Sequence, residues 1–136
     1  MTLVDSNVAM DALDAGSPFH EWSQERLAEL SDGSGFFNHV VVAELAGRAE
    51  SEAELGRMLD ILAIRIEPLD NRVAFRAGQA FKAWIRNGGR RGAMLPDLLI
   101  GAHAAVAQTS VLTRDPGRFR TYFPELDLIT PDNEHD

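Results

Sequence analysis

Short apolar runs alternate along the chain with longer stretches of helical period. Residues 2–4 (TLV) predict a first strand. Residues 17–30 (SPFHEWSQERLAEL) predict a helix with Phe19, Trp22, Leu27 and Leu30 available for burial, while Glu21, Glu25 and Glu29 recur as a solvated stripe. SDGSG breaks that helix, residues 36–38 (FFN) predict a second strand, and residues 39–50 predict a helix capped by Asn38. Residues 51–63 open with a Ser/Glu capping signal and continue as a helix with Leu55, Met58, Leu59 and Leu62 on its apolar face. Residues 64–69 (IRIEPL) give a weak third strand. The most amphipathic stretch, 71–87, places Val73, Ala77, Phe81, Trp84 and Ile85 at core spacing. After the loop GGRRG, a helix begins at Pro96, followed by strands at 110–113 (SVLT) and 126–130 (LDLIT) around a short helix or turn in DPGRFRTYF. Strands alternating with helices predict an α/β fold with a mainly parallel sheet, and such sheets place their sites beyond the carboxyl ends of the strands.

The length of 136 residues suits one domain, read as 1–131 with a polar C-terminal tail at 132–136. With 45% hydrophobic and 25% charged residues the composition is that of a soluble globular chain. No cysteine is present, which excludes disulfides, thiolate zinc sites and a cysteine nucleophile, and accords with a cytoplasmic setting. No basic segment with a long apolar run opens the chain, and no stretch approaches the roughly 20 apolar residues of a membrane span, so the expectation is a soluble, unsecreted protein with no membrane partner.

The net charge of −8 argues against a general polyanion binder. Its distribution changes that picture. Lys82, Arg86, Arg90 and Arg91 fall together, as do Arg114, Arg118 and Arg120, and cations bound by acidic residues would reverse the local field.

Four acids stand where a site would form. Asp5 closes the first apolar run and Asp115 the fourth, so parallel neighbouring strands would bring them together; Asp97 lies in the first turn of PDLLIGAHA, and Glu44 lies inside the apolar VVVAELAG. Each also has an ordinary structural role open to it: Asp5, Asp97 and Asp115 as carboxylates at helix N-termini, and Glu44 as partner of Arg48 one turn on. Collectively they demand more. Charges about 5 Å apart repel by roughly 3 kcal/mol per pair at an effective dielectric of about 20, so four convergent carboxylates require protons or cations. An all-oxygen set without cysteine or a histidine pair suits Mg²⁺ or Mn²⁺. Gly101, one turn beyond Asp97, leaves room for another element to approach. His103 is off the helical face of Asp97 and is read as a packing or core hydrogen-bonding residue.

At these residues the chain resembles the PIN-domain nucleases, in particular the VapC-like toxins of type II toxin–antitoxin pairs. LVDSNV, VVVAELAG, LPDLLIGAHA and LTRD occur in family order and span nearly the whole chain. The resemblance implies a three-layer α/β/α PIN-like domain that cleaves RNA as a metal-dependent endoribonuclease with Mg²⁺ or Mn²⁺. It implies Asp5, Glu44, Asp97 and Asp115 as catalytic and metal-binding residues, with Asn7 and Thr113 supporting them. It further implies a cognate antitoxin and a homodimer. Where many relatives carry Ser or Thr near the start of the second-strand helix, this chain has NHVVVAEL, so Asn38 must supply the cap.

Arg90 and Arg91 in GGRRG are candidates for RNA phosphates, with a solvated loop as the alternative; Arg114 is either an RNA contact or a surface ion pair. Trp22, Phe36 and Phe37 fit the core better than a partner surface. Tyr122 and Phe123 fit a pin between the last helix and the core better than a stacking platform. Two rival functions are a catalytically silent PIN-fold protein-binding module and a receiver-like signalling domain. The second lacks its lysine at a late strand end, because Lys82, the sole lysine, falls within a helix.

Overall fold

The computed structural model describes residues 1–90 and 94–132. Its strands are β1 (Thr2–Val4), β2 (Gly35–Phe37), β3 (Arg65–Ile66), β4 (Ser110–Leu112) and β5 (Leu128–Ile129), and its helices α1 (Ser6–Leu13), α2 (His20–Glu29), α3 (His39–Ala46), α4 (Glu52–Leu62), α5 (Asn71–Arg86), α6 (Leu95–Ala107) and α7 (Gly117–Arg120). All pairings are parallel, in the order β3-β2-β1-β4-β5. Helices α1 to α4 pack among themselves and α5 packs along α6, and with the parallel sheet between them they form a three-layer α/β/α sandwich.

The elements follow the sequence pattern, with differences at their ends. The helix expected over 17–30 starts at His20, because the Ser17 hydroxyl takes the Phe19 N–H at 3.1 Å in a preceding turn. The second strand lies one residue earlier than FFN, since Asn38 caps α3 by accepting from Val41 N–H at 3.0 Å. Ser51 and Asp70 cap α4 and α5 in the same way. In α5, Val73 and Ala77 are buried as expected, Phe81 and Trp84 pack partly, and Ile85 lies at the exposed edge.

The core forms two bodies. Leu3, Val4, Phe36, Phe37, Val41, Leu45, Val111 and Phe119 centre the larger. Val73, Ala77, Ala80, Leu98, Ala102 and Phe123 join α5 to α6 in the smaller. Phe36, Phe37 and Phe123 are thus core residues, while Trp22 packs against the larger body and Tyr122 meets Trp84 edge-on. Gly101 permits the close approach expected of it: a Cβ there would stand 2.4 Å from the Phe123 ring. His103 is buried, bonded through Nδ1 to the Asn38 amide at 3.1 Å and set edge-on to Phe36. No described helix is long and apolar enough to cross a membrane.

Candidate metal centre

The sheet order reverses direction at β1 and β4, so the crevice at their carboxyl ends is the fold's natural site. Register makes it specific. Val4 pairs with Leu112, and Asp5 N–H donates to Leu112 O at 2.9 Å, so the residues following both strands emerge side by side.

Asp5 caps a helix and turns toward the crevice at once. One carboxylate oxygen, Oδ1, accepts from Ser6 N–H at 2.8 Å and caps α1; the other, Oδ2, faces the crevice. There it accepts from the Thr113 hydroxyl at 2.8 Å and from the Arg118 guanidinium. Thr113 is a hub, its Oγ1 also accepting from Asp115 N–H at 3.0 Å and from the Asn7 amide at 3.5 Å. Asn7 in turn accepts the Arg114 N–H through Oδ1 at 3.2 Å, clipping the end of β4 to α1.

Three of the four acids meet on one cation. Arg118 reaches Asp5 through Nη2, Asp97 Oδ1 through Nη1 at 2.5 Å, and Asp115 Oδ2 through Nε at 3.4 Å. Glu44 enters from α3 and accepts the Ser6 hydroxyl at 3.2 Å, adjoining the same group. Burial raises the pKa of Asp5 above the ordinary carboxylate range, outweighing Arg118, Thr113 and the Ser6 N–H. Burial likewise raises those of Glu44 and Asp97, with the neighbouring acids adding to the effect.

A cleft of about 300 Å³ opens onto this centre, lined by Ser6, Asn7, Asp11, Glu44, Arg48, Arg114, Asp115 and Arg118 among others. Arg114 forms an ion pair: its Nε donates to Asp11 Oδ2 at 2.7 Å and its guanidinium covers the Phe19 ring. Arg90 is exposed and does not line the cleft; its carbonyl accepts from the Trp84 indole at 2.8 Å. Arg91 lies outside the described residues, as do residues 133–136 of the polar tail.

Sequence reading missed two side chains. Asp11 is buried and gathers Ser17, Arg114 and, through its carbonyl, His20; its one local signal is the spacing of Asn7, Asp11 and Asp14 along one face of α1. Arg118 was legible only as one of the Arg114, Arg118 and Arg120 basic group, three residues after Asp115, with nothing to mark it as a partner of the acids.

The donor set tests well for a divalent ion. It is all oxygen, from three segments gathered about one guanidinium and a fourth, Glu44, adjoining them, the donor chemistry that Mg²⁺ or Mn²⁺ takes. Among the described residues, however, no three acidic or histidine side chains stand together as a ready ligand set; the guanidinium lies among them.

Fold and centre together define a parallel α/β/α domain with acids gathered at its sheet switch point. The chain belongs to the PIN domain family, whose profile matches residues 2–123. Three solved structures illustrate the likeness. The VapBC2 complex of Rickettsia felis, bound to a DNA fragment from its promoter, is 20% identical with a TM-score of 0.73, covering 95% of this chain and 97% of that one. FitAcB of Neisseria gonorrhoeae is 23% identical with a TM-score of 0.71, covering 98% and 99%. FitAB bound to an IR36 DNA fragment is 25% identical with a TM-score of 0.71, covering 96% and 95%. No curated protein sequence matches significantly.

Proposed function

We propose that the chain is a metal-dependent endoribonuclease and the toxin of a toxin–antitoxin pair. The observation that carries the reading is the centring of Asp5, Asp97 and Asp115, from three segments far apart in sequence, on a single cationic position at the switch point of the sheet. In this reading Asp5, Asp97 and Asp115 hold Mg²⁺ or Mn²⁺, and Glu44 completes the set or orients water. The bound ion would supply charge neutralisation at the phosphate and acidification of water.

The chain's own residues set the geometry. Thr113 fixes the Asp5 carboxylate through its hydroxyl, Asn7 fixes Thr113 and the backbone of residue 114, and Ser6 orients Glu44. Hydrolysis adds water at phosphorus and breaks the bond to the bridging 3′ oxygen, leaving a 5′-phosphate and a 3′-hydroxyl. Arg48 at the cleft would meet RNA phosphates there, and Arg90 and Arg91 would meet them beyond the cleft.

The VapBC and FitAB complexes among the structural relatives support an antitoxin partner. Exposed Ile61 and Phe75 offer apolar surface for that partner or for a second copy in a homodimer. The setting would be cytoplasmic, where RNA and antitoxin are encountered. A catalytically silent binding module is the second reading, favoured by the arginine lying among the acids.

The test is cleavage of RNA by purified, antitoxin-free protein with Mg²⁺ or Mn²⁺, beside EDTA and Asp97→Asn controls. Cleavage is expected to stop with EDTA. In Asp97→Asn it should fall by more than the roughly 10- to 100-fold typical of residues that only support a ligand. Binding of metal without cleavage of RNA would sink the nuclease and leave the silent module.

A further inference from the structure

We infer that Arg118 is a resident counter-ion of the acidic centre, displaced when the centre loads a divalent cation, so that the chain binds metal by exchange with its own guanidinium. The inference rests on the metal reading proposed above.

Its contacts are those of a stand-in cation. Arg118 engages the crevice-facing oxygen of Asp5 and Oδ1 of Asp97, oxygens that a metal would need, and its Nε lies 3.4 Å from Asp115 Oδ2. That Nε is buried and has no hydrogen-bond partner, so the fork satisfies two carboxylates while meeting the third by charge alone. The side chain is only 24% exposed, and its Asp5 partner is fully buried. One positive charge among three carboxylates leaves the group negative, and a compact divalent ion neutralises it more completely than a delocalised monovalent fork.

Release would be a movement of the Arg118 side chain. Arg118 sits on the four-residue α7, whose next residue, Phe119, is fully buried and fixes the backbone. Arg118 also lines the cleft, so its guanidinium has open space to move into, beside Asp11 and Asp14. Metal-free folding and metal binding would thereby share one charge-balancing position, with Arg118 partly offsetting the cost of burying Asp5 before any ion arrives.

Binding of Mn²⁺ alone, measured calorimetrically on the full chain, separates the outcomes when Arg118→Gln is compared with wild type. Displacement predicts that Arg118→Gln binds Mn²⁺ about tenfold more tightly, the equivalent of losing one charge-assisted contact from the competitor. It also predicts a lower melting temperature for the metal-free variant, with the gap closing at saturating Mn²⁺. A purely structural role would lower stability without tightening binding, so equal or weaker affinity in the variant, with wild type still binding, overturns the inference and leaves the metal reading standing. Failure of both proteins to bind overturns the metal reading, and the exchange with it. Should Arg118→Gln fail to fold, Arg118→Lys serves: its single ammonium cannot reproduce the bidentate fork, so it too must bind Mn²⁺ more tightly than wild type or the inference falls.

Discussion

Single atoms decide much of this protein's behaviour. The Thr113 hydroxyl gives its proton to a fully buried carboxylate, so Thr113→Val should cost about 1–3 kcal/mol in urea denaturation and roughly 10- to 100-fold in RNA cleavage. Gly101→Ala forces a methyl against the Phe123 ring and should cost about 1–3 kcal/mol without touching the acids. His103 supplies a pH response that is separable from the centre. Burial lowers its pKa against the opposing pull of Asp70 and Glu67, so the folded chain holds it neutral. The unfolded chain takes up the proton first, so this contribution is fully present above about pH 6.5 and is lost as pH falls toward the depressed folded value. Asp5, Glu44 and Asp97 act in the other direction, their raised pKa values making the folded state the better proton acceptor. Comparing urea midpoints at about pH 7 and about pH 5.5, wild type should lose more stability on acidification than His103→Gln, isolating the histidine.

Elements owe their bounds to caps as much as to apolar period. Asn38, Ser51 and Asp70 each end a loop by accepting the N–H three residues on, and all lie where Ser, Asn or Asp precedes a helical pattern. Helix α6 ends differently, with Gln108 in the left-handed region at φ 55°. Gln108→Gly should therefore stabilise the fold by about 0.5–1 kcal/mol, read from the denaturation midpoint, because the side chain is exposed and glycine relieves the Cβ clash. Capping and periodicity are local, which is why most elements were legible within a residue or two. The short edge strand β3, two exposed residues long, left a weaker trace because it has little apolar alternation to display.

At the scale of the molecule, the central sheet and the acidic centre are one construction. The parallel pairing of β1 with β4 holds Asp5 beside Thr113, 108 residues away in sequence, and α6 brings the first-turn Asp97 to the same crevice. Loading such a centre should stabilise the whole fold. At an Mn²⁺ concentration about 100 times the dissociation constant, unfolding should require about 2.7 kcal/mol more, a gain that EDTA removes in a thermal melt. Protons should compete with the ion at higher pH than ordinary carboxylates allow, because burial has raised the acids.

The sequence by itself determined the alternation of strands and helices, the caps, and the residue types able to hold a hard cation, since each depends on neighbours a few positions apart. Only the tertiary structure decided that Asp5 caps a helix and faces the crevice at once, that Arg114 pairs with Asp11, and that Arg118 lies among three carboxylates. The contacts that decide them, Asp5 with Thr113 and Arg118 and Asp11 with Arg114, join residues more than 100 positions apart, where strand register sets the distance and no local pattern records it.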